Sequence, residues 1–369
     1  MKSLIVCILG YRMVPNIQFI KEKQKAQTEF LFISDPDLEE KDIRLGIKEA
    51  FHIKECELTP IIVDEYDART LEDELKKRHF EVYDHIYVNV SEGTIVTANV
   101  TVEFFKDYIA EIYFIPDTIS YMVQIFPKRK RGKIEIRHKI NMQEYVTSHG
   151  LEMRGGRLSG ISRNYIQKML SLYLANNNSR WWTISRLRPY RGKKYRYRMD
   201  KFPELDLFLR SIDFPLADHT RQYINREEIG FLTGDWFEEY VYYLIKDEFK
   251  LSGDNIKTGI TVSKDGMMNE FDVMFFYNGM LYTIECKTSI KDKERNIMTD
   301  TIYKVKALQN NLGYYSDSNI FTLSSKEQGE VRPGHIERGK IFNIDVYCRE
   351  DILNNPDIAG MLKIDKIKS

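Results

Sequence analysis

The chain has 369 residues and a mass of 43.7 kDa, with 43% hydrophobic and 30% charged residues. This length and composition predict a folded protein of two or three domains, each with its own core. The 55 basic and 55 acidic residues balance, which excludes a global positive field, so any surface that binds nucleic acid must be local.

The cysteines and the N-terminus indicate the environment of the protein. Cys7, Cys56, Cys286 and Cys348 form no CxxC pair, which argues against a zinc site and a disulfide framework, so we expect a reducing, cytoplasmic location. The first residues, MKSLIVCILGYRMV, are similar to a signal peptide, but they lack a small-x-small cleavage site and fit a buried strand better. No stretch approaches the roughly 18 apolar residues of a membrane span, so we expect no membrane partner.

Strand-like and helix-like stretches alternate over the first 100 residues. In chain order they are SLIVCIL (strand), VPNIQFIKEKQ (helix), EFLFIS (strand), KDIRLGIKEAFHI (helix), LTPIIVDEY (strand), TLEDELKKRHF (helix) and HIYVNVS (strand). This alternation predicts an α/β fold, a mostly parallel sheet with helices on both faces. We assign this Rossmann-like domain to residues 1–147.

Ligands of such a sheet bind beyond the carboxyl ends of its strands. Gly10, Tyr11 and Arg12 follow the first strand, and Ser91, Glu92, Gly93 and Thr94 follow the fourth. Neither segment has the GxGxxG spacing, so we expect no nicotinamide or flavin dinucleotide. Backbone amides around Gly93 and the Thr94 hydroxyl are able to bind phosphate. The alternative is that SEGT is only a polar turn at the end of a strand.

Residues 148–225 form a less regular connecting region. Within it, RWWTISRLRPYRGKKYRYRMDK interleaves arginine and lysine with tryptophan and tyrosine, and Arg180 and Arg191 are candidate phosphate contacts. Cations beside flat rings are typical of nucleic-acid binding. Packing of the rings against a neighbouring domain explains the composition equally well.

A third unit is predicted at residues 226–369, where EEIGFLTGDWFEEYVYYLI forms the opening helix. Further along, Asn278-Gly279 lies between two apolar runs, NEFDVMFFY and MLYTIECK. This dipeptide predicts a β-hairpin with a two-residue type I′ turn, because both turn residues must adopt positive φ. The turn pairs Tyr277 with Met280, and that register places Asp272 opposite Glu285.

The same register places Glu270 opposite Lys287. Like charges opposite each other destabilise a hairpin unless they are compensated, and a divalent cation, Mg²⁺ or Mn²⁺, compensates Asp272 and Glu285 well. A carboxylate pair with a lysine suits metal-assisted phosphodiester hydrolysis, in which the lysine orients a water or stabilises developing charge. The alternative is a set of ordinary charges on an exposed sheet.

The opening helix offers a third carboxylate. Glu238 shares a helix face with Val241 and Ile245, whereas Glu239 lies on the side of Lys246. We therefore expect Glu238 to face inward as a metal ligand. The alternative is that it only favours the helix dipole in the first turn.

These residues resemble the PD-(D/E)XK nuclease superfamily: Glu238 in the helix, Asp272 on the second strand, then Glu285-Cys286-Lys287. The resemblance implies that Asp272, Glu285 and Glu238 hold the metal and that Lys287 positions the nucleophile. Downstream, DTIYKVKALQNNLGYY resembles the helix after the catalytic strands, where Lys304 or Gln309 would support a substrate phosphate.

Over nearly its whole length the chain resembles the CARF-domain ancillary nucleases of type III CRISPR defence. The GxWxE helix start (Gly234, Trp236, Glu238), PNIQFIK after the first strand and SEGT after the fourth carry this resemblance. It implies a homodimer whose CARF domains bind a cyclic oligoadenylate, typically cyclic tetra-adenylate. Binding would close metal-dependent nuclease domains over single-stranded RNA or DNA, or over duplex DNA that is nicked.

The resemblance also assigns the ligand contacts, which are Gly10, Tyr11, Arg12, Asn16, Ser91, Glu92, Gly93 and Thr94. Related CARF domains often carry a glycine pair and a lysine in this loop, where this chain has Glu92 before Gly93 and Ile95 after Thr94. A glutamate near adenylate phosphates is unfavourable, so ligand size and any degradation of the ligand stay open. Two other functions also stay open: an ungated restriction or repair nuclease, and a non-catalytic nucleotide sensor.

Overall fold

The structure is a computed structural model that describes residues 2–53, 57–116, 120–156, 158–175, 183–193, 195–264, 266–290, 297–310, 312–355 and 357–364. The helices are α1 (Val14–Lys23), α2 (Pro36–Glu40), α3 (Ile43–Ala50), α4 (Ala68–Lys76), α5 (Ile95–Phe105), α6 (Met142–Ser148), α7 (Arg163–Leu174), α8 (Pro203–Ser211), α9 (Arg226–Gly230), α10 (Trp236–Phe249), α11 (Ile297–Gln309), α12 (Pro333–Ile341), α13 (Arg349–Asn354) and α14 (Ile358–Met361). None of these helices is long and apolar enough to cross a lipid bilayer.

The strands are β1 (Ser3–Ile8), β2 (Thr28–Ser34), β3 (Ile61–Ile62), β4 (His85–Asn89), β5 (Ala110–Phe114), β6 (Tyr121–Phe126), β7 (Gly132–Glu135), β8 (Glu152–Gly155), β9 (Arg196–Arg198), β10 (Tyr223–Asn225), β11 (Ile256–Lys264), β12 (Met267–Tyr277), β13 (Met280–Lys287), β14 (Ser316–Thr322) and β15 (Ile344–Tyr347). The predicted α/β class is confirmed. β9 and β10 form a separate two-stranded sheet.

The first sheet has the order β3-β2-β1-β4-β5-β6-β7 within the described residues. The first five strands in this order run parallel. β6 pairs antiparallel with β5, and β7 pairs antiparallel with β6. Every residue of β1 is buried, as expected for a strand with helices on both faces. The parallel strands β1 to β4 were predicted from the sequence, but β5, β6 and β7 were missed because their pattern does not continue the strand and helix alternation.

The second sheet has the order β15-β14-β13-β12-β11-β8 in the described part of the chain. β8, the strand of this sheet that comes first in the chain, lies in the region predicted to be a connection. It pairs antiparallel with β11. Helix α10 covers one face, where Trp236 and Val241 are fully buried. Helix α11 covers the other face through Ile302, which packs in one cluster with Ile320. The carboxyl end of β13 therefore lies between two helices.

One hydrophobic cluster joins the two sheets. It contains residues of β1, α1 and α6 together with Met274 and Phe276 of β12. Within it, the Tyr145 hydroxyl of α6 contacts two backbone oxygens of the second sheet's domain, at 2.9 Å from Leu312 O and 3.0 Å from Tyr315 O. Tyr315 O also accepts the backbone N–H of Leu281 in β13 at 2.9 Å. The N-terminal domain is thus packed against the strand that carries Glu285.

The Tyr145 hydroxyl gives a test of this junction. Replacing Tyr145 with Phe keeps the ring but removes the hydroxyl donor to Leu312 O and Tyr315 O, of which Tyr315 O keeps the Leu281 N–H, so we expect the free energy of unfolding to fall by about 1–3 kcal/mol. Tyr314→Phe is the matched control, because this neighbouring side chain is 71% exposed. Urea denaturation of both variants measures the difference, and equal stabilities would contradict the assigned contact.

Candidate functional site

The β12–β13 hairpin has the geometry that its turn residues predict. Asn278 has φ 51° and Gly279 has φ 77°, which is the positive-φ pair of a type I′ turn. The predicted register is confirmed from the Tyr277–Met280 pair to the Val273–Ile284 pair. Asp272 and Glu285 lie one step beyond this ladder, at the end where the two strands separate.

Four charged groups meet at that end of the hairpin. Asp272 Oδ2 accepts the backbone N–H of Cys286 at 2.7 Å and lies 3.7 Å from Lys287 Nζ. Lys287 Nζ lies 2.6 Å from Glu285 Oε1. Lys304 Nζ of α11 is 3.0 Å and 3.1 Å from the two Glu285 oxygens. The Glu285 side chain is only 6% exposed, so these ion pairs lie in a largely desolvated site.

Burial and neighbouring charge shift the pKa values in this cluster. Burial, and then the charge of Glu285, raise the pKa of Asp272 to about 6. Burial alone would raise the pKa of Glu285, but Lys287 and Lys304 hold it below its ordinary value. Burial alone would lower the pKa of Lys287, but Asp272 and Glu285 raise it. At neutral pH the site therefore holds a stable ammonium between carboxylates that repel each other.

Glu238 approaches this cluster from α10, as predicted. Burial raises its pKa well above the ordinary value, and the charges of Asp272 and Asp235 raise it further. It does not lie in the first turn of an isolated helix, because a π-helical segment, Phe231–Asp235, connects α10 to α9. The helix dipole at an N-terminus therefore does not account for Glu238.

Arg191 of the connecting region lies beside Glu238. It forms an ion pair with Asp235, and its Nη2 is 4.0 Å from Glu238 Oε1. A Cβ on Gly234 would lie 2.7 Å from Arg191 Nη1, so glycine leaves room for this contact. The predicted phosphate contact Arg191 is thus paired with an acidic side chain, and Arg180 lies outside the described residues.

Two predictions about neighbouring acidic residues were wrong. Glu239 does not face outward but is 4% exposed, since its side of α10 packs against residues before α7, where Ser159 N donates to Glu239 Oε1 at 2.6 Å. Glu270 does not pair with Lys287, because the β12–β13 ladder ends at the Val273–Ile284 pair, and on its other side β12 places Glu270 opposite Thr261 of β11. Glu239 and Glu270 instead line a cavity of about 460 Å³ together with Asp235, Glu238 and Arg191.

The two residues predicted on the following helix differ in position. Lys304 lies in the site, where its ammonium forms an ion pair with Glu285. Gln309 ends α11, where its side chain accepts a hydrogen bond from Lys306 at 3.2 Å. The sequence signal for the Lys304–Glu285 pair is weak, because it depends on how α11 packs on the sheet.

The donor set at the hairpin end fits a divalent cation. Asp272, Glu285 and Glu238 supply only oxygen ligands, which Mg²⁺ and Mn²⁺ prefer, and the raised pKa values of Asp272 and Glu238 show repulsion that such an ion relieves. No group of three or more His, Cys, Asp or Glu side chains is already arranged around one cation position in the described ranges. The ammonium groups of Lys287 and Lys304 compensate Glu285 in this structure.

The carboxyl edge of the first sheet forms the second candidate site. β1 and β4 are parallel neighbours, so the segments that follow them lie together. Arg12 Nη2 contacts Ser91 O at 3.3 Å and Glu92 Oε1 at 3.1 Å. The Glu92 side chain is 4% exposed and lies over Gly10, where a Cβ would be 2.6 Å from Glu92 Oε2. The unfavourable charge expected from Glu92 is therefore turned inward and paired.

The other predicted ligand contacts divide into buried and accessible groups. Asn16 is fully buried and links Ile8 O to the Asn89 side chain, with both contacts at 2.8 Å. Ser91 is also buried, and its hydroxyl accepts from Ile115 N at 2.7 Å. These two side chains hold the loops in place, whereas Tyr11 is 52% exposed.

Thr94 caps helix α5. Its hydroxyl lies 3.2 Å from Thr97 N and donates to Glu65 O at 2.7 Å, so it is engaged within the protein rather than free for phosphate. Gly93 precedes it with φ 77°, and a Cβ there would lie 2.4 Å from the Ile8 side chain. Gly93 is exposed next to the start of α5, and backbone N–H groups at the start of a helix are suited to bind an anion.

Comparison with known families identifies the two domains that contain these sites. Residues 4–145 match the Card1 CARF domain, and residues 225–343 match the Card1-like endonuclease domain. The chain belongs to the Card1-like CARF nucleases. The first match contains the Arg12–Glu92 edge, and the second contains Glu238, Asp272, Glu285 and Lys304. We found no match among curated proteins.

Solved structures share the fold over nearly the whole chain. Can2 from Sulfobacillus thermosulfidooxidans in complex with cyclic tetra-adenylate has a TM-score of 0.68 and 18% identity, covering 93% of this chain and 95% of that one. Protein VC1899 from Vibrio cholerae has a TM-score of 0.70 and 18% identity, with 95% of each chain covered. A type III CRISPR defence DNA nuclease activated by cyclic oligoadenylate has a TM-score of 0.53 and 12% identity over 88% of this chain and 46% of its own.

The raised pKa of Asp272 predicts a pH-dependent stability. Folding raises this pKa from 3.8 to about 6, so ionised Asp272 destabilises the folded protein above about pH 6, and the cost disappears below the unfolded pKa, where both states are protonated. In metal-free protein, Asp272→Asn should therefore raise the free energy of unfolding at neutral pH by about 1–3 kcal/mol. The amide can still accept the Cys286 N–H.

Urea denaturation at several pH values, with a chelator present, measures this effect. The gain from Asp272→Asn should shrink as the pH falls through about 6. Asp254→Asn, at an exposed position on the same domain, is the control and should show no such trend. A gain that stays constant with pH would exclude repulsion at Asp272 as its cause.

Proposed function

We propose that this protein is an endonuclease that a cyclic oligoadenylate activates and that requires Mg²⁺ or Mn²⁺. The cluster of Asp272, Glu285 and Lys287 with Glu238 carries this proposal, because it combines oxygen ligands with a fixed ammonium at the end of a buried hairpin. The CARF domain at residues 4–145 supports the activation. Can2, which shares the fold, is solved with cyclic tetra-adenylate, so we propose this ligand as the activator.

Each residue of the nuclease site has a separate role in the proposal. Asp272 and Glu285 would hold the metal ion, with Glu238 completing the set directly or through water. When bound, the ion supplies charge stabilisation for the phosphate and a more acidic water. Lys287 acts as a hydrogen-bond donor to the attacking water or the phosphate rather than as a base, because the neighbouring carboxylates raise its pKa.

Lys304 links activation to metal binding in this proposal. Its ammonium occupies both oxygens of Glu285, so a cation on Glu285 has to displace it. Lys304 is already half-exposed on α11 while paired, so once displaced it would be available to contact substrate phosphate. The Tyr145 junction connects the CARF domain to the loop after α11, which gives a route for such a change.

At the CARF edge, Arg12, the Gly93 backbone and the start of α5 would bind the adenylate phosphates. Arg12 neutralises Glu92 at the same time. We propose that two copies of the chain share one ligand. The proposed domains are residues 1–147, 148–225 and 226–369. The proposed substrate is single-stranded RNA or DNA, or duplex DNA that is nicked.

Cleavage assays test the proposed function as a whole. Labelled single-stranded RNA, single-stranded DNA and supercoiled plasmid are incubated with Mg²⁺ or Mn²⁺, with and without cyclic tetra-adenylate. We expect cutting only when both the metal ion and the nucleotide are present. Cutting without the nucleotide would indicate an ungated nuclease, and nucleotide binding without any cutting would indicate a sensor.

Glu285→Gln should abolish cleavage, since the amide cannot supply the negative oxygen that the metal ion needs. A reduction of about 10³-fold or more in rate is expected for losing one such electrostatic contact, with affinity for cyclic tetra-adenylate unchanged. Glu327→Gln, which changes an exposed glutamate, is the control. Cleavage by Glu285→Gln at the wild-type rate would remove Glu285 from the catalytic set.

Arg12→Ala should weaken binding of cyclic tetra-adenylate by at least about tenfold, which corresponds to about 1.4 kcal/mol. The variant removes a phosphate contact and also leaves the charge of Glu92 without its Arg12 partner. Adding Glu92→Gln should recover part of the loss, and Arg137→Ala, an exposed arginine of the same domain, should have no effect. Isothermal titration calorimetry gives the affinities, and unchanged binding in Arg12→Ala would move the ligand away from this edge.

A further inference from the structure

Arg188 lies immediately beyond the catalytic strand. It begins a 3₁₀ turn, Arg188–Tyr190, in the connecting region, and its Nη2 donates to Thr288 Oγ1 at 3.1 Å. Thr288 is the residue after Lys287. The backbone of Thr288 is fixed as well, because its carbonyl accepts the Tyr173 hydroxyl at 2.8 Å. Arg188 is thus held close to the end of β13 by a short, defined contact.

Arg188 differs from the neighbouring arginines in the groups that its positive charge contacts. Arg191 is paired with Asp235, and Arg186 lies 3.9 Å from Glu204. Arg188 is half-buried, and among the described residues its side chain contacts the neutral Thr288 hydroxyl without a carboxylate partner. Burial lowers its pKa, Tyr173 raises it and Arg191 lowers it, yet an arginine stays protonated in proteins.

Arg188 donates a hydrogen bond to Thr288, and its partly exposed guanidinium has further N–H groups with which to bind an anion. Its planar arrangement of N–H groups matches two oxygens of one phosphate better than a lysine ammonium does. Asp235, Glu238 and Glu270 line a cavity together with Arg191, and without a bound cation their charge disfavours phosphate there. Arg188 instead contacts Thr288, the residue after Lys287, so an anion bound to Arg188 lies at the end of β13.

We propose that Arg188 binds a phosphodiester group of the nucleic-acid substrate adjacent to the one that is cut. This inference rests on the proposed nuclease function and adds a substrate-binding residue to it. The contact would hold the strand across the end of β13, so that the scissile phosphate lies over Asp272, Glu285 and Lys287. The sequence pattern predicted Arg180 and Arg191 of this segment as phosphate contacts, but not Arg188.

Binding measurements test the proposal without cleavage. The full chain with Glu285→Gln is mixed with fluorescein-labelled single-stranded DNA or RNA, in the presence of cyclic tetra-adenylate, and anisotropy is followed between about 50 and 200 mM salt. Adding Arg188→Gln, which keeps a donor for Thr288 but removes the charge, should weaken binding about tenfold. The slope of log affinity against log salt should fall by about 0.7, the value for one phosphate contact on a single strand.

Two further variants separate charge from structure. Arg188→Lys should restore the salt slope and part of the affinity, because it keeps a positive charge. Arg198→Gln is the matched control, since Arg198 lies in the same region, is exposed and pairs with Asp200 at 2.7 Å. In the cleaving protein, Arg188→Gln should raise KM while leaving kcat within about twofold, whereas a merely structural role would lower kcat and the melting temperature.

The outcomes distinguish failure of this inference from failure of the proposed function. If wild-type protein cuts nucleic acid but Arg188→Gln keeps the affinity and salt slope of Arg198→Gln, the inference is wrong and the nuclease proposal stands. If the Glu285→Gln protein binds no nucleic acid and the wild type cuts none, both are wrong. A loss of affinity in Arg188→Gln with an unchanged salt slope would also overturn the phosphate contact.

Discussion

The carboxylate of Glu285 must be compensated, because it lies almost fully out of water at the end of a hydrophobic strand. Lys287 supplies one ammonium from the same strand and Lys304 supplies another from α11. This requirement explains the surrounding sequence. The hairpin brings Asp272 close, the lysines offset the negative charge, and burial followed by the charges of Asp272 and Asp235 raises the pKa of Glu238. Carboxylate oxygens gathered in this way are the ligands that a hard divalent ion prefers.

The two domains meet through a continuous hydrophobic cluster rather than through a polar linker. Residues of the N-terminal sheet and its helices α1 and α6 pack directly on β12 and β13. The Tyr145 hydroxyl adds a specific contact to Leu312 O and Tyr315 O, near the end of the helix that carries Lys304. Because a packed core transmits a rigid-body shift better than a flexible linker does, a ligand at the CARF edge is mechanically connected to the nuclease site.

The connecting region contributes more than a connection. Its strand β8 extends the nuclease sheet, Ser159 fixes Glu239, and Arg191 lies between Asp235 and Glu238. Of its described aromatic residues, Tyr195 is 83% exposed, whereas Tyr190 packs against Tyr197 and Phe202. The composition of this region predicts either nucleic-acid binding or packing of its rings against a neighbouring domain. Packing accounts for the rings of Tyr190 and its two neighbours, and a phosphate contact is the role proposed for Arg188.

The sequence by itself determined the features that depend on local backbone preference. Asn278-Gly279 fixed the hairpin register and so the proximity of Asp272 to Glu285, because a type I′ turn allows only one pairing. The alternation of strands and helices likewise determined the parallel strands β1 to β4 of the first sheet. Only the tertiary structure decided that Glu239 is buried, that Lys304 binds Glu285, and that Glu92 turns inward to Arg12. Each of those contacts joins residues far apart in the chain or depends on how elements pack, and burial and pairing of charge are properties of that packing rather than of local sequence.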